Sequence, residues 1–167
     1  MVLSDTFLIA AIACLLFIGW RDFVTLKISN KIVLVLLGVY VAYTGLRFFV
    51  EGLSVAAIID ELIAGGILFG LTFVFWLLGK IGAGDVKLYL PVGLFIGLNG
   101  LLPYAFFLAI TSILTLMVIK GGGRLSKGKS WFGQRLIELR GLGKVPYGVP
   151  MGLSAVCVMI GERLQPV

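Results

Sequence analysis

Histidine is absent from the chain, and cysteine is scarce. The absence of histidine excludes Ser-His-Asp and Cys-His catalysis, histidine-ligated metals and histidine pH switches. The two cysteines, Cys14 and Cys157, lie far apart within apolar runs. Because they form no CxxC pair, a zinc site is disfavoured, and two buried, unpaired thiols are the simpler interpretation. We therefore expect no metal and no cofactor.

Charged residues are also few, at 13% of the 167 residues, whereas 60% are hydrophobic. The charged share is about half of that in a typical soluble domain. So few charged side chains cannot easily cover a soluble globule, which predicts a polytopic membrane protein instead. The net charge of +6 is normal for a membrane protein with a basic cytoplasmic face, so it does not call for a nucleic-acid partner.

Long apolar runs predict an all-α membrane protein with six transmembrane helices in a single domain. The predicted spans are residues 6–20, 32–50, 56–79, 86–98, 101–119 and 147–160, and a basic loop over 120–144 precedes the last one. A signal peptide is a poor reading of the first run, because no Lys or Arg precedes it. Asn99-Gly100 is a typical turn signal and separates the fourth and fifth spans.

The basic residues predict the orientation of these spans. Twelve of the 14 Lys and Arg residues lie at one set of helix ends, seven of them in the 120–144 loop. Only Arg47 and Arg163 lie at the opposite set. By the positive-inside rule the loop 120–144 is cytoplasmic and both termini face outward. A short helix on the anionic inner leaflet is an alternative reading of part of that loop.

Two aspartates are expected at the cytoplasmic boundary of the membrane. A helix from Asp85 to Leu98 rises roughly 20 Å, which is short against a hydrocarbon core of about 30 Å. The fourth span therefore draws Asp85 into the membrane zone. The helix from Asp5 to Asp22 rises only about 25 Å, which places Asp22 at a similar depth on the same side. The two carboxylates are thus in a position to meet.

Two facing carboxylates do not ionise together easily, so they share one proton. The ionised member then takes a proton from water, while the protonated member polarises a peptide carbonyl. This is aspartic-protease chemistry, which needs neither histidine nor metal. Gly82 and Gly84 beside Asp85 would permit an unusual backbone and a close approach of substrate. Lys87 would either favour the singly charged pair or extend to the interface.

Three segments resemble motifs of the type IV prepilin peptidases. Residues 22–30, 82–87 and 146–150 are similar to the family's D-x5-IPN segment, its GxGDxK motif and its proline-tyrosine-glycine segment, in that order. The residues expected from this resemblance to support the site are Gly82, Gly84, Lys87, Asn30, Pro146, Tyr147 and Gly148. Two positions depart from the family pattern: Ser29 stands where proline is usual, and Val24 stands where a basic residue is common.

The resemblance implies an intramembrane aspartic peptidase of the GxGD class, with Asp22 and Asp85 as its catalytic pair. Such enzymes cut the leader from prepilins at the cytoplasmic membrane face, which implies a multi-pass protein of the prokaryotic cytoplasmic membrane with its active site on the cytoplasmic side. The similarity is strongest to the short peptidases of tight-adherence (Flp) pilus systems, so no N-methyltransferase activity is expected. The implied partners are a prepilin substrate, membrane lipid and components of pilus assembly.

Three other functions compete with this one. A small transporter or channel fits six spans with acids in the membrane zone. A pilus-assembly scaffold would use the 120–144 loop to bind lipid or an ATPase. Deleting that loop is expected to disable a scaffold but to spare a peptidase. A presenilin-like protease shares the GxGD element but is ranked lower, because this chain is short. Asp60 and Glu61, near the outer end of the third span, are expected to have a structural or interfacial role.

Overall fold

The computed structural model describes residues 2–125 and 130–164, which form six α-helices. They are α1 (Val2–Thr25), α2 (Asn30–Val50), α3 (Val55–Leu77), α4 (Ala83–Leu125), α5 (Trp131–Leu142) and α6 (Gly148–Leu164). No strand occurs within these described ranges, and the predicted all-α class is confirmed. Four helices are long and apolar enough to cross a membrane, over Leu3–Thr25, Asn30–Val50, Val55–Leu77 and Ala83–Gly121.

The longest helix, α4, is broken at Gly97, where φ is 60° and ψ is −178°. This backbone conformation is essentially restricted to glycine. The rings of Tyr89 and Tyr104, on either side of the break, lie 6.4 Å apart between centroids. The two arms, residues 83–96 and 98–125, therefore fold back on one another. The predicted turn at Asn99-Gly100 is wrong by two residues, because both positions are helical and the reversal needs the backbone freedom of Gly97.

The segment 120–144, predicted as a basic loop with a short helix as the alternative for part of it, is mostly helical where the structure describes it. Residues up to 125 continue α4, and residues 131–142 form α5, while 126–129 lie outside the described ranges. The Ser130 side chain accepts a hydrogen bond from the Gly133 N–H at 3.1 Å and caps the start of α5. Gly143, with φ of 60°, ends the helix in the left-handed conformation that glycine tolerates.

The largest buried apolar cluster joins four helices and includes Leu15 of α1, Leu36 of α2, Val92 of α4 and Met151 of α6. Glycines let the backbones approach at two crossings. A Cβ on Gly152 would lie 2.8 Å from the carbonyl oxygen of Leu15, where α1 meets α6. At the crossing of α3 and α4, a Cβ on Gly93 would lie 2.6 Å from the Cα of Gly65. Such small-residue contacts are typical of helices packed within membranes.

Ion pairs join the helices at one end of the bundle, which we call the distal end. Asp5 and Arg163 lie 2.6 Å apart and connect the start of α1 to the end of α6. Arg47 and Glu61 lie 2.9 Å apart and connect the end of α2 to the start of α3. Glu61 also accepts a hydrogen bond from the Tyr40 hydroxyl at 2.7 Å. These contacts agree with a structural role for Glu61.

The two cysteines do not match the expectation of buried thiols. Both are free, but Cys157 is exposed on α6 and Cys14 is only half-buried on α1. An apolar run that crosses a membrane turns one face outward to lipid, so an apolar sequence context alone does not bury a thiol within the protein.

Candidate active site

A cavity of about 600 Å³ opens at the end of the bundle opposite the ion pairs. Its walls come from the end of α1, the link before α2, the start of α4 and the link between α5 and α6. Asp22 and Asp85 both line this cavity. We call it the aspartate cavity and call this end of the bundle the aspartate end.

Asp22 lies in the last turn of α1 and is only 5% exposed. Its Oδ2 accepts a hydrogen bond from the backbone N–H of Gly148, the first residue of α6, at 2.7 Å. A Cβ on Gly148 would stand 2.8 Å from the Cβ of Asp22, so only glycine fits there without displacement. The free N–H groups at a helix start favour a negative charge, so α6 both locates and stabilises this carboxylate.

Asp85 lies in the first turn of α4, where its backbone N–H donates to the carbonyl of Gly82 at 3.1 Å. A Cβ on Gly82 would lie 3.1 Å from Oδ2 of Asp85, and a Cβ on Gly84 would lie 3.3 Å from the Cβ of Ile28. The first glycine thus leaves room for the carboxylate. The second lets the start of α4 lie against the link before α2, which closes one wall of the aspartate cavity.

The other predicted residues gather at the same end in different roles. The Lys87 ammonium donates to Oδ1 of Asn30 at 3.0 Å and joins the start of α4 to the start of α2. Lys87 is not among the residues that line the cavity, so its observed contact is a link between helices. Tyr147 is half-exposed and lines the cavity, whereas Pro146 is fully buried behind it.

Sequence reasoning missed several residues that shape the site. Lys27 and Lys144 line the aspartate cavity and bring positive charge to a site with two acids. Leu26, also in its wall, has a φ of 54° although it is not glycine. The side chain of Arg135 donates to the backbone of Phe23, one residue after Asp22. Lys144 lies two residues before Pro146, near the proline-tyrosine-glycine segment, but Arg135 lies 113 positions from Asp22 and carries no local signal.

The fold and the cavity together fit a multi-pass helical membrane protein with two acids in one opening. The sequence profile of the type IV leader peptidase family matches residues 9–119, which include Asp22 and Asp85 but not Pro146 to Gly148. The match spans more than half of the chain, and the chain belongs to this family. The predicted resemblance is confirmed. Comparisons with curated proteins and with solved structures gave no match.

Membership identifies the protein as a leader peptidase in general terms, and so as a hydrolase. The apolar helices fit a multi-pass membrane location. The transporter and scaffold alternatives have no comparable support.

Proposed function

We propose that the protein is an aspartic endopeptidase that removes the leader peptide from Flp-like type IV prepilins. The observation that carries the proposal is the shared cavity of Asp22 and Asp85, which come from the end of one helix and the start of another. Family membership supports peptide cleavage in general. The cavity supports a mechanism in which two carboxylates act together.

The proposed reaction uses one ionised and one protonated aspartate. The ionised carboxylate takes a proton from water, and the oxygen of that water attacks the carbonyl carbon of the scissile peptide. The protonated carboxyl donates its proton to the carbonyl oxygen, which forms a tetrahedral diol. The carbon–nitrogen bond then breaks as the amide nitrogen receives a proton from the first carboxyl, while the second carboxylate takes a proton from one hydroxyl of the diol and so returns to its starting state. A new carboxyl group and a new amino terminus are released.

The two acids have different surroundings, which would suit different roles. Asp22 accepts the Gly148 N–H, and hydrogen bonding of this kind stabilises the ionised form of a carboxylate. Asp85 is more accessible than Asp22 and lies beside Gly82, which leaves its Oδ2 room to reach a substrate carbonyl. We therefore assign Asp22 as the ionised partner at rest and Asp85 as the proton donor to the substrate carbonyl.

The proposed topology has six crossings, made by α1, α2, α3, the two arms of α4, and α6. The aspartate end would face the cytoplasm and both termini would lie outside. Lys27, Lys87 and Lys144 all belong to the aspartate end, whereas Arg47 and Arg163 pair with acids at the distal end. This distribution supports the orientation by the positive-inside rule.

The decisive experiment co-expresses the protein with an Flp-like prepilin and follows removal of the leader by gel shift and mass spectrometry. Asp22→Asn and Asp85→Asn should each lower the cleavage rate by at least about 100-fold, because each removes a group that transfers a proton. Asp60→Asn is the matched control, since Asp60 is exposed and lines a separate cavity at the distal end.

Membrane levels of all three variants should equal those of the unmutated protein. Substantial cleavage by either Asp22→Asn or Asp85→Asn would refute the two-aspartate mechanism. Failure of the unmutated protein to cleave any prepilin would refute the proposed function itself.

A further inference from the structure

Helix α5 packs against the end of α1 through an aromatic contact. The ring of Phe23, the residue after Asp22, stacks on that of Phe132 with centroids 5.3 Å apart. Trp20, one turn earlier in α1, lies 5.6 Å from Trp131. Both partners belong to the first turn of α5. Helix α5, which lies in the predicted basic loop 120–144, therefore packs against the helix that carries Asp22.

A buried cluster lies beneath this contact. It consists of Ile119 of α4 with Leu136 and Leu139 of α5, and Phe23, Leu26 and Val145 pack against it. Leu26 and Val145 also line the aspartate cavity. The apolar side of α5 is therefore continuous with the wall of the cavity.

The last turn of α1 needs an external partner. The final carbonyl groups of a helix find no N–H donor within that helix. Asp22 O receives the N–H of Leu26 at 2.8 Å, in a turn where Leu26 adopts a φ of 54°. Phe23 O receives the side chain Nε of Arg135 at 2.9 Å. A cation at this position also complements the negative end of the helix dipole.

Arg135 is held in place for its hydrogen bond to the carbonyl oxygen of Phe23. Its side chain is only 11% exposed, and its second branch pairs with Glu138 at 2.6 Å, one turn along the same helix. The guanidinium is thus fixed by α5 while its Nε reaches α1. Removing it would leave Phe23 O without this donor while the apolar cluster remained.

We propose that Arg135 is a positioning residue for catalysis: it holds the last turn of α1 so that Asp22 meets Asp85 in the aspartate cavity. Gly148 holds the carboxylate of Asp22 from one side, and Arg135 holds the backbone one residue later. This inference rests on the proposed function, because it assigns Arg135 to the same reaction. It extends that function by giving α5 a role in positioning a catalytic residue.

The test compares Arg135→Ala, Arg135→Lys and the control Arg140→Ala in the prepilin cleavage assay. Arg140 lies on the same helix and is exposed, so its replacement removes the same charge without the contact to α1. Arg135→Ala should lower kcat by about 10-fold or more with little change in KM, because a misplaced catalytic group slows chemistry more than binding. Arg135→Lys should recover part of the loss, since the ammonium is also a donor.

Hydrogen exchange supplies a readout that does not depend on activity. Amide exchange at residues 23–27 should accelerate in Arg135→Ala, while exchange in α2 and α3 stays unchanged. Cleavage by Arg135→Ala within twofold of the unmutated protein would overturn the inference, as would equal losses in Arg135→Ala and Arg140→Ala. The proposed function would survive either result, since it fails only if the unmutated protein or the aspartate variants behave contrary to expectation.

Discussion

Gly148 meets two demands at a single position. Its N–H donates to the Asp22 carboxylate, and its missing side chain lets α6 begin beside that carboxylate. The resemblance of residues 146–150 to a family segment singled out this glycine, but its partner is 126 positions away. Helix rise predicts the depth of Asp22 and Asp85. It does not predict which backbone group will bind them, because that depends on how α1 and α6 cross.

We predict that Gly148→Ala lowers both activity and stability. The new Cβ would lie 2.8 Å from the Cβ of Asp22 and 3.0 Å from its Oδ2. Crowding of this kind typically costs about 1–3 kcal/mol of unfolding free energy. Displacement of the carboxylate should lower the cleavage rate by about 10-fold or more. Thermal unfolding in detergent and the prepilin assay measure the two effects.

Gly141→Ala is the control for this variant. Gly141 lies within α5, and a Cβ there would meet nothing within 4 Å in the described structure. Alanine is favoured over glycine inside a helix by about 1 kcal/mol, so stability should hold or rise. Equal behaviour of the two variants would contradict the steric role of Gly148.

At the scale of elements, hydrophobic runs located α1, α2 and α3 well, since each predicted span lies largely within an observed helix. They located α5 poorly. Phe132, Leu136 and Leu139 follow helical spacing, but Ile137 does not, and charged residues stand between them. The apolar stripe is therefore not clean, and the sequence favours a loop. The helix is stabilised instead by its Ser130 cap, by contacts to the end of α4, and by contacts to α1, which is distant in sequence. Tertiary packing of this kind decides many short helices.

The same element revises the expected effect of deleting residues 120–144. If α5 positions Asp22, a peptidase should also lose activity when these residues are deleted. The deletion therefore does not distinguish a peptidase from a scaffold. A point substitution within α5 is more informative.

We predict that Leu139→Ala destabilises the protein and slows cleavage. Leu139 is fully buried between α5 and its neighbours, and removal of a buried leucine side chain usually costs about 2–5 kcal/mol. Ile137→Ala on the same helix is the control, because Ile137 is 45% exposed. Melting temperatures in detergent should fall for the first variant only. A helix that merely rested on the membrane surface would give the opposite ranking, or no difference.

At the scale of the whole molecule, the two ends of the bundle differ in chemistry. The distal end has paired charges between helices and a cavity of about 460 Å³ lined by groups such as Arg47, Glu61 and Glu162. The aspartate end has the two acids, and the basic residues around them. The positive-inside rule anticipates this polarity from the sequence, because it depends on counts of residues and not on their contacts.

We predict that the link between α2 and α3 faces outward and that between α3 and α4 faces the cytoplasm. Glu51→Cys and Lys80→Cys place one thiol in each link, in a background where Cys14 and Cys157 are replaced by alanine. A membrane-impermeant maleimide added to intact cells should label position 51 and not position 80. Permeabilised cells should show labelling at both. The reverse pattern would invert the proposed topology.

The break at Gly97 also has a consequence for biogenesis. The arm that begins α4 runs from residue 83 to residue 96, a rise of about 21 Å against a hydrocarbon core of about 30 Å. An isolated segment of this length is a poor substrate for insertion into a bilayer. Its backbone touches α3 at Gly93 and its side chains meet the second arm at Tyr104. We therefore expect the two arms to enter the membrane as a hairpin with α3 already in place, so that Asp85 reaches its final depth only when that hairpin has closed.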